Sequence, residues 1–263
     1  MEIRNKVVWI TGASSGIGEA LTYKLNELGA KLIISSRNRE SLYLVKSKCK
    51  VNPLDVHVLP LDLENTDSLK EVTASAIKIF NKVDIIIHSG GVSQRSLALE
   101  TDLDVAQRIM NINFWGTVAL TQNILPSMLS NNSGHIVIIS SLVGKFGTKF
   151  RSAYSASKHA LHGYFDSLRT EINPEIKISI ICPGFIKTNV TINALTADGT
   201  KQNSMDDAQA NGMPADRCAI EIIKAIRSGK EEVYIGGKEK YAVLLKRFLP
   251  GIFSKIVRTA KVT

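Results

Sequence analysis

Apolar residues in this chain recur in two rhythms. Short runs rich in Val and Ile occupy residues 6–11, 31–35, 56–59, 83–88, 135–140, 176–181 and 232–235, and each reads as a strand. Between them the apolar spacing lengthens to i, i+3/i+4, as in Ile17, Ala20, Leu21, Leu25 and Leu28, which marks one face of a helix. This alternation predicts βαβ units and an α/β fold, a doubly wound sheet of seven parallel strands with helices on both faces. Ile85-Ile86-Ile87 is apolar without alternation, as expected of a strand covered on both sides. Gly29 is placed to end the first helix, and Asn65-Thr66 ahead of Asp67 to cap the third. No linker, composition shift or repeat divides the 263 residues, so a single domain over 1–263 is expected.

Composition removes several function classes. No run approaches the ~18 consecutive apolar residues of a membrane-spanning helix. The first apolar run begins at Val7, too early for an export signal to precede it. Cys49, Cys182 and Cys218 are odd in number and widely spaced, which supports neither a disulfide framework nor a metal site. The expectation is a reducing, cytoplasmic setting. The net charge of +9 is concentrated at the end of the chain, where residues 238–263 carry seven Lys or Arg against Glu239 alone. No helix-turn-helix, zinc-finger or RNP-type pattern accompanies it, so nucleic acid is not the expected partner.

Candidate chemistry begins at the first strand-to-helix junction. Thr11-Gly12-Ala13-Ser14-Ser15-Gly16-Ile17-Gly18 sits there, where small residues let the backbone approach a pyrophosphate and present the free N–H groups of a helix start. No Lys-Ser/Thr follows Gly18, which excludes a mononucleotide P-loop. The end of the second strand selects between dinucleotides, because a carboxylate holds the 2′-OH of NAD whereas Arg accommodates the 2′-phosphate of NADP. Ser36-Arg37-Asn38-Arg39 has no carboxylate, so NADP(H) is expected, with Arg37 and secondarily Arg39 at the phosphate. Asp62, after the third strand, is placed to meet the adenine edge or simply to make a turn.

Tyr154 and Lys158 stand one helical turn apart on a helix that continues through Leu168. A phenol of ordinary pKa ~10 needs about three units, or ~4 kcal/mol, to act near neutrality. An ammonium ~4 Å away at an effective dielectric of ~20 supplies about that much. Alone, the spacing is common.

Taken in order, the 11–18 turn, Asn113, Ser141, Tyr154, Lys158 and Pro183-Gly184 resemble the short-chain dehydrogenase/reductase family, in its roughly 250-residue branch with a Rossmann-type fold. The resemblance implies that Tyr154 donates or accepts the proton, that Lys158 lowers its pKa and holds the nicotinamide ribose, and that Ser141 polarises the carbonyl. It gives Asn113 a water leading to the Lys, and places Gly90, Pro183, Gly184 and Thr188 along the cofactor. The segments 90–97, 157–161 and 182–184 are similar to the dehydrogenase/reductase member-seven and 11-beta-hydroxysteroid dehydrogenase branch. That implies a lipophilic carbonyl or alcohol as substrate, reduction as the expected direction, and a homodimer or homotetramer. The family's usual Asn-Asn-Ala-Gly is here His88-Ser89-Gly90-Gly91, so His88 is expected to replace a structural hydrogen bond. His159 and His162, at i, i+3, are expected to serve packing rather than a metal. Two other readings are a regulatory dinucleotide-binding protein without turnover and a sugar-nucleotide epimerase, the latter disfavoured by the glycine spacing.

On the substrate side, Val143, Lys145, Phe146, Phe150 and Phe185 are candidates, with 188–213 as a lid whose inner face carries Ile192, Leu195 and Met205. The basic tail reads as two amphipathic helices around Pro250-Gly251. They either cover the cleft or a partner subunit, or touch an anionic membrane surface.

Overall fold

A computed structural model describes residues 1–260. Strands β1 (Val7–Thr11), β2 (Lys31–Ser35), β3 (Val56–Val58), β4 (Ile85–His88), β5 (Gly134–Ile139) and β6 (Ile176–Pro183) alternate with helices α1 (Gly16–Glu27), α2 (Arg39–Ser47), α3 (Leu69–Phe80), α4 (Leu103–Met110), α5 (Gly116–Ser130) and α6 (Ser152–Glu171). After β6 come the short strands β7 (Ile186–Lys187) and β8 (Met213–Pro214), with the one-turn helix α7 (Asp207–Ala210) between them. The chain continues as α8 (Ala215–Ser228), β9 (Glu232–Ile235), α9 (Ala242–Phe248) and α10 (Pro250–Thr259).

Seven strands form one parallel sheet in the order β3-β2-β1-β4-β5-β6-β9. All seven expected strands are present. The β7–β8 pair is a separate two-stranded piece that no periodicity marked, because two residues per strand are too few to show one. Winding reverses between β1 and β4, which opens a crevice at the carboxyl ends of the central strands.

Each face of the sheet buries its own core. Val8, Ile10, Leu32, Ile34, Ile85 and Ile87 meet α1, α2 and α8 on one side, while Trp9, Ile33, Ile86, Ile136 and Ile138 meet α3, α5 and α6 on the other. The unbroken apolar runs follow from this two-sided covering. Trp9 is fully buried and donates its indole N–H to Ser35 Oγ at 2.9 Å, so its polar atom is not orphaned. Gly29 adopts φ +77° directly after α1, in the left-handed conformation that ends a helix. Asn65 instead precedes a short 3-10 turn, Thr66–Ser68, that leads into α3, and its side chain makes no capping bond.

No described helix is long and apolar enough to cross a membrane. The break in the tail falls at Leu249, and Pro250 opens α10, where its missing N–H is harmless.

Candidate active site

The glycine-rich turn is fixed by two close approaches. Gly12 has φ +67°, and a Cβ there would lie 2.7 Å from the Gly90 backbone, so the turn after β1 rests directly on the loop after β4. A Cβ on Gly18 would collide with the Gly12 carbonyl. Gly90 N–H donates to Thr11 Oγ1 at 3.2 Å and ties the same two loops together. Ser15 precedes α1 in extended conformation without a side-chain cap, so the first-turn N–H groups have no competing side-chain acceptor. Gly16 faces Thr188, whose Cγ2 would lie 3.1 Å from a Cβ on that glycine.

These residues open into a cleft of about 840 Å³. It is lined by Gly12, Ser14, Ser15, Gly16 and Ile17, and at its far end by Ser36, Arg37 and Asp62. Asp62 also accepts the Glu64 N–H at 3.0 Å, so the turn role and the cleft position coexist. Arg37 is exposed at the rim. Arg39 does not line the cleft; it stacks on Tyr43, 5.5 Å from the ring centroid, because it lies inside the first turn of α2 and Tyr43 is one turn on. Arg39, expected secondarily at a phosphate, is thus turned onto Tyr43 in this structure. The donor set matches a dinucleotide along its length: a glycine-rich turn, open amides, an arginine at the rim and a carboxylate beside it.

At the other end Ser141, Tyr154, Lys158, Pro183, Gly184 and Thr188 line the same cleft, with Gly90 between the two ends. Ser141 Oγ lies 3.3 Å from the Pro183 carbonyl and accepts the Val143 N–H at 3.3 Å. Burial raises the Tyr154 phenol above its ordinary pKa, and Ser141, Arg95 and Arg151 act against that rise. Lys158 departs from the simple expectation of an ammonium against the hydroxyl. Its Nζ donates to the Ile139 carbonyl at 2.8 Å and stands 5.7 Å from the Tyr154 ring centroid, because the long side chain runs down toward β5. Burial pushes its pKa down to about 8.

Asn113 is carried by a π-helical turn, Asn111–Trp115, between α4 and α5. The wider turn rotates Asn113 inward, where it is buried. There Oδ1 accepts the Val92 N–H at 2.8 Å, while Nδ2 donates to the Val92 carbonyl at 2.9 Å and to Ser157 Oγ at 3.0 Å. Asn113 thus locks the loop after β4 against the face of α6 that holds Lys158.

A family model for short chain dehydrogenases matches residues 6–199. The chain belongs to the short chain dehydrogenase family. Human dehydrogenase/reductase SDR family member 7 is 40% identical over 240 residues, covering 89% of this chain and 71% of the human protein. Dehydrogenase/reductase SDR family protein 7-like from Drosophila melanogaster is 38% identical over 258 residues, 96% of this chain and 79% of the fly protein. Among solved structures, a short chain dehydrogenase/reductase from Burkholderia phymatum in complex with NAD superposes with a TM-score of 0.86 at 22% identity, covering 100% of this chain and 99% of its own. One from Burkholderia cenocepacia in complex with NADP gives 0.80 at 21%, covering 99% and 100%. The shared architecture is that of the family's oxidoreductases.

Within this short chain dehydrogenase, several expected substrate-side residues lie elsewhere. Val143, Phe146 and Phe185 line the cleft, but Lys145 pairs with Glu232 at 2.5 Å. Phe150 points away with φ +65°, its carbonyl accepting the Ser96 N–H. In the 188–213 segment Leu195 lines the cleft while Ile192 and Met205 do not, since the segment forms turns rather than a continuous amphipathic face. His88 donates from Nε2 to Thr121 Oγ1 at 3.0 Å, the structural bond expected of it. His162 is buried beside Ser140 at 3.1 Å whereas His159 is exposed, so the two rings do not converge.

Gln94 is a buried residue bonded to the site that the sequence motifs give no role. Its Oε1 accepts the Ala153 N–H at 2.7 Å and the Tyr154 N–H at 3.3 Å, and its Nε2 donates to Thr101 Oγ1 at 2.8 Å. It caps the start of α6 from 59 residues away, and no local motif signals such a cap.

Proposed function

We propose that this chain is an NADPH-dependent oxidoreductase that reduces a lipophilic carbonyl to a secondary alcohol. The observation that carries this reading is the convergence of Ser141, Tyr154 and Lys158 with the 11–18 turn and Arg37 in one continuous cleft. A bound nicotinamide dinucleotide supplies the hydride. The 12–18 turn would hold its pyrophosphate, Arg37 its 2′-phosphate, Asp62 its adenine side, and Lys158 and Thr188 its nicotinamide end. Ser141 would donate to the substrate oxygen and Tyr154 would deliver the proton to it, the two hydroxyls acting on one atom. Lys158, whose pKa burial lowers to about 8, would restore that proton as well as carry charge.

The substrate half of the cleft is apolar. Val143, Phe146, Leu245, Phe253 and Val257 line it, the last three from α9 and α10, so the tail roofs the pocket and supports a bulky, lipophilic substrate. A panel of ketones and aldehydes of graded size, followed by NADPH absorbance, is expected to give rates that rise with apolar bulk. Binding of NADPH without turnover of any of them would favour a regulatory protein instead.

Arg37→Ala is expected to narrow the preference for NADPH over NADH by roughly tenfold or more, the loss of one charge-assisted contact. Fluorescence titration of both reduced cofactors measures it. Equal affinity of the unmodified chain for the two would remove the argument.

The outer face of the roof is also apolar: Leu244, Phe248, Leu249 and Ile252 are half or more exposed, beside Lys246, Arg247, Lys255 and Arg258. This combination supports peripheral contact with anionic lipid, at about 1 kcal/mol per basic residue near the surface. Co-sedimentation with anionic vesicles at low salt, and its loss at high salt, is the expected result. Equal recovery with neutral vesicles would leave only the apolar contribution. A homodimer or homotetramer remains part of this reading, checked by light scattering.

A further inference from the structure

The loop after β4 makes two attachments at once. Gln94 holds the start of α6 at Ala153 and Tyr154, while its neighbour Arg95 reaches the 188–213 segment, where Asp206 takes its guanidinium at 2.6 and 2.7 Å. The same carboxylate oxygen lies 3.3 Å from Arg151, three residues ahead of Tyr154. Its second oxygen accepts from Gln202 at 3.0 Å. All three charged side chains are nearly sealed from solvent, at 6%, 6% and 3% exposure, and both arginines line the cleft beside Tyr154. Phe150, immediately before Arg151, is held at φ +65°, a conformation an aromatic residue adopts only when its surroundings impose it. The adjoining bridge, Leu195 N–H to the Ser93 carbonyl at 2.9 Å and Arg95 N–H to Leu195 O at 2.8 Å, seats the segment on the loop.

We propose that Arg95 and Arg151, shielded by the lid carboxylate Asp206, are positioning residues that tune the acidity of the Tyr154 hydroxyl, so that seating of the 188–213 segment and proton delivery are coupled. The proposal rests on the reading of Tyr154 as the proton donor. Arg151 at the start of α6, Arg95 after β4 and Ser141 after β5 act on the phenol, Asp206 from the lid pairs with both arginines, and Lys158 stands one turn along α6, 5.7 Å from the ring centroid. Both arginines favour the phenolate, and burial together with the charge of Arg95 pushes Arg151 itself down to about 10. Asp206 offsets part of that cationic field. Burial keeps the phenol protonated, and the seated lid carboxylate limits how far the two arginines act against that burial.

The test uses charge changes of opposite sign. Asp206→Asn removes the shield and is expected to lower the Tyr154 titration midpoint by about one unit, of the order a single unit charge exerts inside a protein. Arg95→Met is expected to raise it by a similar amount, and Arg95→Lys, which keeps the charge, to leave it nearly in place. Phenolate absorbance of each variant, minus that of the same variant carrying Tyr154→Phe, isolates this tyrosine. Should Arg95→Met fail to fold, Arg151→Gln gives the same expected sign. Unmoved midpoints, or shifts of one sign for both charge changes, would overturn the proposal and leave the cluster a mechanical latch. The titration needs no turnover, so failure of the carbonyl panel would sink the oxidoreductase reading without touching this result.

Discussion

Tyr154→Phe is expected to remove turnover of any carbonyl the chain reduces, by about three orders of magnitude, while cofactor affinity changes little. In the proposed mechanism the phenol hydroxyl would meet substrate oxygen, whereas the ring and the backbone bond from Tyr154 N–H to Gln94 Oε1 remain in the variant. Lys158→Ala should damage both properties. Its ammonium reaches the Ile139 carbonyl inside the cleft, and under the proposed mechanism its loss would remove a cofactor contact and a proton source together. Ser141→Ala should cost less than Tyr154→Phe, one polarising hydrogen bond of the order of 10²-fold. Single-turnover rates with saturating NADPH, beside cofactor titrations, separate the three patterns. Near-normal turnover by Tyr154→Phe would sink the mechanism.

Acidification between pH 6.5 and about 4 is expected to destabilise the fold steeply, because two buried histidines must charge. His88 and His135 lie on the adjacent strands β4 and β5, and burial lowers their pKa values to about 3 and about 4. Thr121 and Ser179 spend their own hydroxyl protons on the carbonyls of Thr117 and Lys230, so each accepts the Nε2–H of its histidine. Nδ1 of both rings is then the bare nitrogen, and neither has a partner among the described residues. A proton added there would be a buried donor with no acceptor. Folded values below the ordinary ~6.5 mean that the unfolded chain binds more protons in this window. Stability is thus complete above pH 6.5 and falls as the pH drops through it. At pH 4.5 each histidine costs about 2.5 kcal/mol, about 5 kcal/mol for the pair, against a typical total of ~5–15. Glu232, on which burial acts upward but bonds from His162, Lys145 and Tyr234 prevail, is held at about 2, so its own contribution is lost mainly below this window. Denaturant midpoints measured at half-unit steps test the slope, and His88→Asn should flatten it by about half. A midpoint independent of pH from 7 to 4.5 would contradict the burial of neutral imidazoles.

The sequence by itself determined the sheet and named the candidate groups that line the cleft. Strand runs such as Ile85-Ile86-Ile87 and the helical face of Ile17, Ala20, Leu21 and Leu25 are read from spacing, because period is a local property of the chain. The 11–18 turn, Tyr154 and Lys158 are likewise local patterns whose chemistry is carried by residue type. What the tertiary structure alone decided was direction and partnership. Lys158 turned toward the Ile139 carbonyl rather than the phenol, Arg39 toward Tyr43 and Lys145 toward Glu232, each to a partner that spacing either could not see or could not rank. Asn113 needed the π-helical turn to bring it inward, and hydrophobic periodicity does not register one extra residue per turn. Gln94 reaches Ala153 across 59 residues and Arg95 reaches Asp206 across 111, and these polar side chains are indistinguishable from ordinary loop residues until the fold buries them. Burial gives these contacts their strength, since a charge or hydrogen bond away from water has no solvent to replace it. Burial is a property of the folded whole.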